Sequence, residues 1–150
     1  MEWNWVESLQ SEDLITEYEA VVGYTFPEDF KEFVKQYNGG NPENTIFYSK
    51  HGDVRKKRVF GDLLSFNKED ICSIWKYNRW FTGYSDWNAL SNGEIQNYIM
   101  IAGDAFGNMI CYDKRTNEIV WIDHEQADFS KAVKPVAKSW TKFVSGLKSK

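Results

Sequence analysis

Histidine and cysteine are both scarce in this chain of 150 residues: His51, His124, Cys72 and Cys111 are all there are. The two cysteines sit in different apolar patterns, without the paired spacing of a metal knuckle or a redox motif. No His, Cys or carboxylate cluster has metal-ligand spacing, so no metal and no cofactor are expected. Two reduced, buried thiols are expected in place of a disulfide, as in a cytoplasmic protein. No apolar run approaches the ~18 residues of a membrane helix. The opening "MEWNWVESLQ" lacks the basic segment and apolar block of a signal peptide. The expectation is a cytoplasmic protein with no membrane partner. G-x-S-x-G, H-E-x-x-H and the P-loop are missing too.

Aromatic residues, in contrast, are plentiful, with 7 Trp, 8 Tyr and 10 Phe. A chain of this length is about one domain and can bury a core without staples. The net charge of -4 is unevenly spread. The first forty residues carry nine carboxylates (from Glu2 to Glu32) against Lys31 and Lys35, a balance of about -7, which leaves about +3 for the rest. That acidic end disfavours nucleic acid and suits a basic protein partner.

Helical spacing comes first. Ser11 can cap a helix whose apolar stripe is Leu14, Ile15, Tyr18, Val21 and Val22, and Gly23 can end it. A second helix is expected to open at Pro27, with Phe30, Phe33, Val34 and Tyr37 on one face, and to stop at Asn38-Gly39-Gly40. The period then changes. "TIFYSK" and "VRKKRVF" read as strands joined across His51-Gly52-Asp53. Asn67 and Asp70 resemble a capping box before a helix that turns Ile71, Ile74 and Trp75 inward. Residues 77–90 are aromatic and irregular, with a helical turn expected near Trp87. "YIMIA", "MICYD" and "EIVWI" follow as strands, and a last helix is expected to open at Pro135. Hairpin-length links predict an α+β fold, a mainly antiparallel sheet with helices packed against it.

Candidate chemistry is thin. Asp123-His124-Glu125 places carboxylates beside a histidine, but successive strand residues face opposite ways. With Asp113 opposite Glu118, Cys111 faces Val120 and Met109 faces Ile122. His124 then lies near Gly107, far from Cys111, and is expected to hydrogen-bond the neighbouring loop. His51 is expected to be a solvated turn residue. "GDAFGN" reads as a hairpin turn, lacking the lysine of a P-loop and the carboxylates of a calcium loop. Arg55–Arg58 is the strongest basic run. Alternation sends Arg55 and Lys57 to one face, Lys56 and Arg58 to the other, and edge protection or solvation accounts for them. No aromatics interleave with the run as an RNA platform would need.

Glu19, Gly23, Phe26-Pro27-Glu28-Asp29-Phe30, Phe33 and Tyr37-Asn38-Gly39-Gly40 with Pro42 together resemble the opening signature of the SUKH superfamily, the Smi/Knr-type domain. Ala102-Gly103-Asp104 with Gly107-Asn108 resembles the family's hairpin, and Val120-Trp121 with Asp123-His124-Glu125 its later strands. Trp140, Phe143 and Leu147 resemble its closing helix. The likeness runs from about residue 11 to the end, and residues 77–90 depart from it. It makes Gly23, Pro27, Asn38, Gly39, Gly40, Asp123 and His124 signature positions within one SUKH-like domain over residues 1–150. It implies a curved, mainly antiparallel sheet. It also implies a non-catalytic immunity protein that neutralises a cognate polymorphic toxin, often a nuclease; the alternative is a regulatory or scaffold module of the cell-wall-regulator type. Glu12, Asp13, Glu17, Trp80 and Trp87 are the candidate partner contacts.

Overall fold

In the computed structural model, which describes all of residues 1–150, two glycines steer the first forty residues. Helix α1, Asp13–Val22, begins where Asp13 N donates to Ser11 Oγ at 3.2 Å. It ends where Gly23 takes φ 65° and donates to the Glu19 carbonyl. Ile15 and Tyr18 enter the core, but Val21, expected beside them, is 68% exposed because the buried stripe is narrower than the apolar one. Helix α2, Glu28–Tyr37, follows Pro27, whose carbonyl accepts from Phe30 N and Lys31 N. Phe30 and Val34 are buried, Phe33 and Tyr37 half-buried. Asn38 and Gly39 then form a type II turn closed by Gly40 N on the Tyr37 carbonyl at 2.9 Å. The φ of 70° at Gly39 is the position that a type II turn reserves for glycine. The turn leads into a two-stranded sheet the sequence did not announce, β1 (Trp3–Asn4) with β2 (Asn41–Pro42).

The main sheet has six antiparallel strands in chain order. They are β3 (Ile46–His51), β4 (Val54–Leu63), β5 (Tyr98–Asp104), β6 (Met109–Asp113), β7 (Glu118–Ile122) and β8 (Val133–Ala137). The β6–β7 register pairs Asp113 with Glu118, Cys111 with Val120 and Met109 with Ile122, as the sequence predicts. Nearly every residue of β5, β6 and β7 is buried, whichever way it points. Burial on both faces explains why these strands read as continuous apolar runs. Phe30 of α2 meets Tyr112 edge-on at 5.4 Å, and Phe47 meets Phe143 of α6 (Trp140–Ser145) at 5.3 Å.

The β4–β5 pairing runs only from Ala102 to Asp104. Beyond it, Asn78 stands in for a strand: its Nδ2 donates to the Met100 carbonyl and its Oδ1 accepts from Met100 N, both at 2.8 Å. Asn78 belongs to α3 (Ile74–Arg79), which runs into one π-helical turn, Trp80–Tyr84, and then α4 (Trp87–Leu90). A short turn of helix, α5 (Phe129–Ala132), precedes β8. The sheet curls until β3 and β8 approach each other, and Lys148 bridges to Ile46 through two backbone bonds of 3.0 Å. The curl is tight enough to lay Arg58 of β4 over Trp121 of β7, 3.8 Å from the ring centroid.

Two expected helix starts differ. Asn67 and Asp70 do not cap a helix. Asn67 donates to the Ser8 carbonyl and accepts from Gln10 N, which holds the N-terminal segment, while Asp70 accepts from Asn67 and from Ser65 Oγ. Ile71 is consequently 90% exposed, and α3 begins at Ile74, capped by Ser73. Pro135 lies in the edge strand β8, where a missing N–H is tolerated. The final helix starts only at Trp140, with Ser139 Oγ accepting from Lys142 N at 3.1 Å.

Candidate partner-binding surface

Glu12, Asp13 and Glu17 stand exposed at the start of α1, with Glu17 paired to Lys68 at 3.2 Å. A shallow groove between α1 and α2 continues this surface, lined by Glu12, Asp13, Glu19 and Glu28 and bordered by Lys31 and Lys35. Part of the acidity counted from the sequence is structural. Glu19 accepts from Phe26 N at 2.7 Å and pairs with Lys31. Asp29 accepts from Phe30 N and from both the N and Oγ1 of Thr141, which ties α2 to α6. Glu28 and Glu32 pair with Lys31 and Lys35 on their own helix, so the carboxylates left without a partner along α1 and α2 are Glu12 and Asp13 at the start of α1.

The aromatic segment divides into two kinds of residue. Trp87 is 6% exposed; its ring packs on Phe81 and Phe129, and its Nε1 donates to the Gln126 carbonyl at 3.2 Å. That places it in the core and removes it from any docking surface. Trp80 and Tyr84, at the two ends of the π turn, are 48% and 77% exposed. Trp80 also lines a groove of about 400 Å³, together with Leu64, Cys72, Tyr77, Met100 and Met109. Burial and the neighbouring Cys72 push the Tyr77 phenol up. Gly107 and Asn108 line it too, and Phe106, next to them at the hairpin tip, is 69% exposed. Tyr84 belongs to the aromatic group of residues 77–90 but is not among the contacts expected from sequence, and neither is Phe106. An aromatic between the turn residues of "GDAFGN" was the available signal for Phe106.

The hairpin carrying Phe106 is rigid. Asp104, 8% exposed, accepts from Phe106 N, Asn108 N, Asn108 Nδ2 and Trp121 Nε1. Asn108 Oδ1 in turn accepts from His124 N, and lies 2.7 Å from His124 Nδ1. His124 thus bonds the neighbouring loop, as expected, and its ring lies beside Gly107. Asp123 turns to Glu125 N and does not orient the imidazole.

His51 is not a solvated turn residue. It is half-buried, with Nε2 2.8 Å from Ser49 Oγ and its ring 6.1 Å from that of Trp121. Burial, then Lys56, Lys134 and Arg58, push its pKa below the ordinary 6.5. The basic run also gains partners that its own sequence lacks. Arg58 stacks on Trp121 and Arg55 on Tyr48, both from other strands. No group of three or more His, Cys, Asp or Glu side chains is placed to hold a metal ion. No helix is long and apolar enough to cross a membrane.

The family model that matches the chain is a SUKH model described as SMI1-KNR4 cell-wall, and it spans residues 12–144. The chain is also similar to the SPbeta prophage-derived uncharacterized protein YokK of Bacillus subtilis (strain 168). The two are 29% identical over 149 residues, covering 93% of this chain and 76% of that protein.

Proposed function

The chain belongs to the SUKH, SMI1-KNR4 family, and from that footing we propose that it is a cytoplasmic immunity protein. It neutralises a cognate polymorphic toxin by covering the toxin's working surface, with no chemistry of its own. The observation that carries this reading is the preformed aromatic end. Trp80 stands exposed on an apolar groove, Phe106 stands exposed on the braced hairpin that borders it, and Tyr84, also exposed, ends the π turn that Trp80 begins. Exposed aromatics next to a groove, held rigid before binding, are the residues that become hot spots when a partner seats. The acidic start of α1 would speed encounter with a basic toxin. The prophage origin of the Bacillus relative also supports the reading.

The test is co-expression with the toxin encoded beside the gene. Survival of the cells and co-purification of a one-to-one complex are expected, both weakened by Trp80→Ala with Tyr84→Ala. Cell death with no complex overturns it. The family description, cell-wall, favours a second reading as a regulatory or scaffold module. Capture of host synthesis or signalling proteins, with no toxin gene nearby, would decide for that.

A further inference from the structure

A third groove, of about 440 Å³, lies between β3, β8 and α6, and it is cationic. Lys50, Arg55, Lys138, Lys142 and Lys148 line it, and no carboxylate does. Of these five only Lys138 has an ion pair, with Glu118 at 2.7 Å. The remaining ion pairs of the molecule involve none of the other four. Such a concentration is unexpected in a chain of net charge -4.

Part of this arrangement works against the fold. Lys50 and Arg55 are directly opposite each other across the β3–β4 hairpin. Like charges facing across a strand pair destabilise it. Arg55 is held in place by the Tyr48 ring at 4.8 Å, and Lys148 by its backbone bridge to Ile46. Of the charged groups, the Arg55 guanidinium is thus held before any ligand arrives, while the bridge fixes the backbone from which Lys148 projects. Between them the floor is apolar, formed by Phe47, Val136 and Phe143.

We infer that this groove is a docking site for an acidic, extended segment of a partner protein, with an apolar side chain on the floor and carboxylates reaching the four unpaired cations. A polyphosphate is the poorer fit. It has no apolar group to offer the floor, and a groove this short cannot follow a nucleic-acid backbone. The groove shares no lining residue with either the acidic groove of α1 and α2 or the aromatic one at Trp80. The inference is independent of the immunity reading.

The test uses the whole protein and a short fluorescent peptide alternating glutamate with phenylalanine, followed by anisotropy at low salt. Two controls accompany it, the same peptide with lysine for glutamate and a labelled oligothymidylate. Saturable binding of the glutamate peptide alone is expected. Lys142→Glu with Lys148→Glu should weaken it about tenfold or more, as should physiological salt. Should that pair disturb folding, seen as a shifted thermal transition, Lys142→Ala should still weaken binding about threefold. The inference is overturned by equal binding to the variants, by no saturable binding of the glutamate peptide, or by oligothymidylate binding more tightly than the peptide. None of these outcomes bears on toxin neutralisation, which is read by co-expression.

Discussion

Asn38 donates from Nδ2 to Ser65 Oγ at 2.9 Å, in a position where Asn38 is 1% exposed. Asn38 also donates to the Glu7 carbonyl and accepts from Phe66 N, while Ser65 Oγ donates to Asp70 at 2.6 Å. One side chain at the end of α2 therefore holds both the N-terminal strap and the exit from β4. Asn38→Ala leaves several buried groups unpaired and should remove about 2–4 kcal/mol of stability in urea titration. Asn38→Asp preserves the shape but replaces a donor by an acceptor facing the Glu7 carbonyl, and should restore none of the loss.

Gly39 and Gly23 both have positive φ but different surroundings. A Cβ at Gly39 would meet Glu7 Cβ at 3.2 Å, whereas one at Gly23 would meet nothing within 4 Å. Gly23→Ala should cost about 1 kcal/mol from backbone strain alone. Gly39→Ala should cost more, because the strap over it must also shift. Parallel denaturation of the two variants measures the difference.

The tryptophans of the aromatic segment should separate by assay. Trp87→Ala opens a cavity against Phe81 and Phe129 and should destabilise by about 3–5 kcal/mol. Trp80→Ala should change stability by less than about 1 kcal/mol. In a complex with the toxin, Trp80→Ala should weaken affinity about thirtyfold, corresponding to ~2 kcal/mol. Calorimetry on both variants, free and with the partner, gives the two numbers.

The sign of the His51 effect on stability follows from its lowered pKa. Above 6.5 the ring is neutral in both folded and unfolded chains and contributes no slope. As pH falls below 6.5 the unfolded chain takes up a proton that the folded one resists. Stability is lost across the interval down to the folded pKa. His51→Asn should flatten that part of the curve, read as the difference between parent and variant melting temperatures over the same pH steps.

Both cysteines are free, in unlike settings. Cys111 is completely buried in β6, and burial pushes its thiol well up. Cys72 is half-buried, with Sγ 3.9 Å from the Tyr77 hydroxyl at the aromatic groove. A thiol-reactive disulfide dye should modify one cysteine in the native protein and both in urea. Mass analysis should find Cys72 as the native site.

What could be read in the sequence was local. The stripe and stops of α2, the cap at Ser11 and the β6–β7 register follow from spacing over fewer than ten residues or so. Pro135 misled because proline opens helices and also sits in edge strands, and only the neighbouring strand decides between them. Asn67 and Asp70 match a capping box, yet Ser8 and Gln10 claim the side chain of Asn67 from far along the chain. Trp80 and Trp87 look alike in composition; a single π turn sends one outward and lets the other inward. The stacking of Arg58 on Trp121 needs the full curl of the sheet, which no short-range pattern encodes.

The strand order has a consequence for how the chain finds its structure. From Tyr98 to Ala137 each strand pairs with the next one in the chain, and β3 does the same with β4. These ladders close short loops, which form early because little chain entropy is lost. Within the six-stranded sheet, joining β4 to β5 closes the one long loop between successive strands, from Leu64 to Asn97, and that step is expected to be slower than the hairpins. Substitutions in the Asn78–Met100 link should therefore slow refolding, while those in the β6–β7 hairpin should mainly hasten unfolding.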